Sequence, residues 1–219
     1  VKVLVRMDRQ TEAYLIAAVL VLAGLCVNLQ KPWAVAGLIG FCVAAVLLAT
    51  YSGGTGWSGV KEEFRLSWPK REDGSGNWFE TFAYAALLGT LFGLAFRTVY
   101  SSTVIPVLGV FAFTAPFIGV AEELVYRGWM QNRLRGRFGP WAAIIFVVLL
   151  HTAYKCSLFL LPLSPGVNLV KLGVWTVVIG IAMGWITEAT DSVLPACLLH
   201  AVFDLLAYGD LSSAPWWVW

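Results

Sequence analysis

Two adjacent glutamates, an arginine, two histidines and an aspartate carry most of the chemical potential of this chain. Glu122 and Glu123 stand side by side at the end of an apolar run. Arg127 follows Glu123 by four residues, one helical turn, so the two can pair along one face. His151 and His200 are the chain's only two histidines, and each lies in the middle of a later apolar run. Asp204 comes one turn after His200 on the same helical face. Ionisable groups inside a bilayer are costly and mark function by default. Three helices can each carry such groups when they meet in a bundle interior.

The residue types narrow the chemistry. A carboxylate next to a histidine activates water as a general base. A second histidine with a polar neighbour stabilises a developing oxyanion. Of two adjacent carboxylates, one can act as base while Arg127 anchors the other. A nucleophilic mechanism has little support: there is no GxSxG, and Cys156 stands five residues after His151, on a different face. Zinc held by the histidines and one or two glutamates, with water in an open position, is the competing site. HExxH is absent and the ligands would come from three helices, so no cofactor is expected. A proton relay in a transporter would use similar groups. It calls for paired broken helices in two halves, and none are visible.

The elements that must position these residues are membrane helices. Of the 219 residues, 59% are hydrophobic and 13% are charged. Globular domains run near 45–50% and about 25%. That much apolar surface cannot be hidden inside a soluble fold of this length. A span needs about 20 mostly apolar residues. Seven runs qualify, at about 11–29, 33–51, 78–100, 104–134, 140–161, 167–187 and 193–208. The expectation is an all-α, polytopic transmembrane bundle of about seven membrane helices. Residues 1–219 would form one integral membrane domain, with the motif-bearing core at about 104–208. The polar stretch at about 52–77 would be a cytoplasmic loop holding a short amphipathic piece near 60–68.

Lysine and arginine alternate between loops, being dense before the first run, in the 52–77 stretch and after the fourth run, at Arg133, Arg135 and Arg137. The positive-inside rule then puts the N-terminus in the cytoplasm and, for seven spans, the C-terminus outside. The net charge of +2 and the lack of a basic patch interleaved with aromatics exclude nucleic acid as a partner. The partner is the lipid bilayer itself. Cys26, Cys42, Cys156 and Cys197 read as small core residues. Lys155, one turn after His151, is expected to extend to the interface rather than tune the site. Glu80 and Arg97 are expected at opposite interfaces of the third run, and Glu188 and Asp191 in a loop. Trp216, Trp217 and Trp219 read as an interface anchor. No secretory signal is recognisable at the start, and the opening Val1 suggests a trimmed or partial N-terminus.

At the polar residues the sequence resembles a known family. Glu122-Glu123-Leu124-Val125-Tyr126-Arg127 matches the EExxxR motif of the CAAX-protease and bacteriocin-processing family, the Abi/Rce1-type intramembrane glutamic proteases. His151 stands where that family's second motif places its histidine. Val147 occupies the position four before it, where the motif usually has phenylalanine, and Phe146 is one residue earlier. His200 and Asp204 match the third motif, with aspartate where members often carry asparagine. The resemblance covers about 121–208.

The resemblance implies an endopeptidase that acts on a membrane-associated substrate, either a peptide or a lipidated protein. The substrate would be of CAAX type, or a leader or sorting signal. Glu122 and His151 would activate water, Glu123 and Arg127 would support that carboxylate, and His200 with Asp204 would form the oxyanion side. It also implies metal independence and residence in the plasma membrane of a prokaryote. The alternative is a non-catalytic immunity or scaffold protein that keeps the motif and acts by binding.

Overall fold

The computed structural model describes residues 9–28, 56–69, 78–101, 103–160 and 168–210, and all regular structure there is helical. Helix α1 is Arg9–Asn28, α2 is Gly56–Glu63 and α3 is Trp78–Tyr100. A 3-10 turn at Val110–Phe113 leads into α4, Ala115–Glu123. The chain continues without a break through a π-helical segment, Leu124–Gln131, into α5, Asn132–Phe138. Helices α6 (Pro140–Leu160), α7 (Leu169–Thr190) and α8 (Leu194–Tyr208) complete the described chain.

Three of these helices, α3, α6 and α7, are long and apolar enough to cross a membrane. The chain is therefore an integral membrane protein, but the expectation of about seven spans is corrected to three among the described residues. The reasons are local. The apolar part of α1 is only Ala13–Leu25, and α8 has 15 residues. At 1.5 Å per residue, 15 residues rise about 22 Å, short of a hydrocarbon core of about 30 Å.

The run at 104–134, expected as one long helix, is divided instead. No helix forms around Pro106, and Pro116 sits in the first turn of α4, where its missing N–H costs nothing. Gly139, at φ +79°, stops α5, and Pro140 begins α6. The expected run at 33–51 and the tryptophan-rich end lie outside the described residues. So do residues 52–55 and 70–77 of the polar stretch, whose described helix covers Gly56–Glu63 rather than 60–68. With the seven-span count goes the basis for placing the C-terminus outside.

Helix α8 is the hub, packing against α3, α4 and α7, while α6 packs against α1 and α7. The contact of α3 with α8 runs along Ala85, Gly89 and Gly93, one turn apart. A Cβ at Gly89 would stand 2.5 Å from the Leu199 carbonyl oxygen, and one at Gly93 would stand 2.8 Å from Leu206 Cβ. Small residues let helix backbones meet where lipid gives no hydrophobic drive for association. One apolar cluster joins α1, α2, the π segment, α5 and α6, with Ala17, Phe64, Trp129 and Val147 among its members. A second joins α3, α7 and α8 around Ala85, Met183, Leu199 and Phe203. His151 is flanked along α6 by members of the first, and His200 along α8 by members of the second.

Ion pairs close one end of the bundle. Arg65, just after α2, reaches Glu188 and Asp191, each at 2.8 Å, and its carbonyl accepts from the Val193 N–H. Arg135 pairs with Asp191 at 3.4 Å, and Arg133 pairs with Glu63 at 2.6 Å. Glu188, expected in a loop, is in the last turns of α7, and Asp191 caps that helix at φ +47°.

Candidate active site

Glu122 and Glu123 end α4, Arg127 lies in the π segment, His151 is on α6, and His200 and Asp204 are on α8. All six are buried. The structure brings them together. Glu123 Oε1 accepts from Arg127 Nη1 at 2.9 Å and from His200 Nδ1 at 2.9 Å. Glu122 Oε2 lies 3.1 Å from His151 Nε2 and 3.8 Å from His200 Nε2. The same Arg127 Nη1 meets His151 Nδ1 at 2.8 Å. Asp204 Oδ1 lies 3.5 Å from His200 Nε2.

These contacts set the tautomers. A guanidinium nitrogen can only donate, so His151 Nδ1 is an acceptor there. The neutral ring then carries its proton on Nε2 and donates it to Glu122. At His200 the Nδ1–H goes to Glu123. Its Nε2 faces Glu122 and Asp204 from beyond good hydrogen-bond reach.

The local fold explains the convergence. Six consecutive residues of the π segment, Tyr126–Gln131, are buried, because this wider turn is enclosed on all sides by neighbouring elements. Short π segments recur at functional sites. Two glycines clear the space. A Cβ at Gly119 would stand 2.7 Å from Asp204 Oδ2 and 3.0 Å from the His200 ring. One at Gly180, on α7, would stand 2.8 Å from Arg127 Nη2.

Sequence reasoning missed several members of the site. The Tyr126 ring stacks on His151 at 4.2 Å between centroids and fixes the imidazole plane. Gln131 Nε2 donates to the Gly184 carbonyl and to Glu188, tying the π segment to α7. Lys155, expected at the interface, instead places Nζ 2.7 Å from Glu122 Oε1. Its spacing of four from His151 was the available signal. Gly119 gave none, since nothing along the chain tells which helix will cross it.

A cleft opens beside these groups. Arg127, His151, Lys155, His200 and Asp204 line its polar part. Beyond them it is apolar and aromatic, with Phe96, Phe159, Leu172, Trp175, Phe203 and Tyr208. Cys156 is half-buried, Cys197 is buried, and both are free thiols. Among the described residues, no group of three or more His, Cys, Asp or Glu side chains is arranged to hold a metal ion.

Fold and site together define an integral membrane protein with a buried glutamate–histidine cluster opening on a cleft. The family model for type II CAAX prenyl endopeptidase Rce1-like proteins matches residues 104–206, the stretch from just before α4 to near the end of α8. Over those residues, a little under half of the chain, it is similar to the Rce1-like CAAX protease family. No curated protein and no solved structure matches it.

Proposed function

We propose that this protein is an intramembrane endopeptidase that hydrolyses a peptide bond of a membrane-associated substrate with water activated by Glu122. One observation carries the reading. Glu122 Oε2 faces both imidazoles, at 3.1 Å and 3.8 Å, and those two histidines line the cleft.

Each residue has a role in this scheme. Glu122 takes a proton from water as the oxygen attacks the peptide carbonyl, and returns it to the amide nitrogen as the C–N bond breaks and the amine leaves. His151, its other nitrogen held by Arg127, keeps the carboxylate turned toward the cleft. Glu123, held by Arg127, fixes His200 through Nδ1. The His200 Nε2–H, 3.5 Å from the Asp204 carboxylate, donates a hydrogen bond to the oxyanion as it forms. An ionised Asp204 cannot donate, so it acts by holding His200 charged. The arginine-bearing end, with Arg133, Arg135 and Arg137, would face the cytoplasm.

Purified protein in lipid, incubated with quenched peptides, some of them prenylated, tests the proposal. Glu122→Gln should abolish cleavage and leave thermal unfolding unchanged. Full cleavage by that variant would overturn the assignment and favour a role in binding. A strong chelator should leave the wild type active, and loss of cleavage on chelation would assign the water to a bound metal.

A further inference from the structure

Three buried carboxylates, Glu122, Glu123 and Asp204, meet in the site. Arg127 is committed to Glu123 and His151. Apart from the two imidazoles, the cation that reaches Glu122 is Lys155, whose side chain is 15% exposed and lines the same cleft. A lysine near a helix end ordinarily extends its ammonium toward headgroups, where hydration favours it. This one turns inward. A buried carboxylate without a compensating charge takes up a proton instead of staying ionised. A protonated Glu122 could not act as a base.

The contact also has a direction. Lys155 occupies Oε1, and Oε2 faces His151 and His200. We propose that Lys155 is a positioning residue for the water-activating glutamate, holding Glu122 ionised and turning its free oxygen toward the two histidines. The inference rests on the proposed role of Glu122 as base. The charged and titratable groups around Glu122 are His151, Tyr154 and Lys155 from α6, His200, Asp204 and Tyr208 from α8, and Glu123, Tyr126 and Arg127 from its own chain segment. Of these cations, Arg127 is already engaged by Glu123 and His151, and His151 accepts from it as a neutral ring. Lys155 is the one whose ammonium is directed at Glu122 Oε1.

The test uses full-length protein in lipid with ¹³C-labelled glutamate. The Glu122 signal is the infrared carboxyl component missing from Glu122→Gln. In the wild type and in Lys155→Arg it should be a carboxylate near neutral pH. In Lys155→Met a protonated carboxyl band should appear there and titrate at higher pH. In the same variant the acid limb of peptide cleavage should move up by about one unit or more, an approximately tenfold loss at a fixed pH on that limb. Raising the pH should restore the rate. A merely structural lysine would lower activity equally at every pH, and Lys155→Met titrating like the wild type would overturn the proposal. If Glu122→Gln still cleaves, the proposed function fails, and the infrared titration decides the role of Lys155 on its own.

Discussion

Two arginines, Arg97 and Arg127, are fully buried in this bundle, and they are used in opposite ways. Arg97 ends the small-residue face of α3, where the sequence suggested an interfacial side chain. Its Nε donates to the carbonyls of Thr103 and Val104, and its Nη1 donates to the Leu206 carbonyl at 3.3 Å. Its Nη2 meets Thr103 Oγ1 and the Asp210 carboxylate, at 2.9 Å and 2.7 Å. All three guanidinium nitrogens are engaged, mostly by backbone carbonyls. At Arg127, Nη1 serves both Glu123 and His151, while Nε and Nη2 have no hydrogen-bond partner among the described residues. A buried arginine with its donors filled by carbonyls is a structural clamp. One with spare donors, beside groups that change protonation, is held for a ligand or a reaction.

The contrast breaks most visibly at Arg97. Arg97→Leu leaves Asp210 and several carbonyls without a donor and should cost about 3 kcal/mol of stability, read as a lower unfolding temperature in lipid. Cleavage per folded molecule should stay near the wild-type rate. The Arg97 hydrogen bond first, and its charge after, hold the Asp210 carboxyl below its usual value. That part of the stability is therefore full above the ordinary aspartate range and fades as pH falls through the lowered value. Acid should lower the unfolding temperature more in the wild type than in Arg97→Leu.

Arg127→Lys keeps the charge but cannot bridge Glu123 and His151 from one planar group. Cleavage should fall about a hundredfold through misplacement of the two side chains, with a smaller change in unfolding temperature than Arg97→Leu gives. Equal damage to stability from both substitutions would erase the distinction. Gly119→Ala sharpens it at the low end. The added methyl would press on Asp204 and the His200 ring without touching either arginine, and cleavage should drop by about tenfold, measured as kcat against KM on one peptide.

The candidate site was more legible in the sequence than the fold around it. Glu122, Glu123, Arg127, His151, His200 and Asp204 stood out because charge in an apolar run is rare, and the structure draws all six into one cluster. The direction of Lys155 was not legible, since the same spacing serves a lysine that reaches outward and one that reaches Glu122. Nor was Gly119, whose lack of a side chain matters only once α8 crosses it. The spans failed for a different reason. Hydropathy counts apolar residues, but Pro106 and Pro116 decide where a helix can begin, and α8 is apolar without being long. A single arginine shows the same limit. Arg97 at the end of an apolar run reads as interfacial, and only the packing of α3 on α8 reveals that its end of the helix is covered.

The shortness of α8 has a consequence for the depth at which the histidines lie. Helix α7 has 22 residues against 15 in α8, and the two are joined by a tight turn at the end closed by Arg65 and Asp191. Their difference in rise, about 10 Å, therefore accumulates at the other end, where α8 stops at Tyr208 and α7 runs on toward Leu169. That end of α8 is met by the segment before α4, whose Gly109 N–H donates to the Gly209 carbonyl at 2.7 Å. His200 stands eight residues before Tyr208, about 12 Å along the axis, so less helix separates the histidines from that end of the bundle than a full-length span would impose.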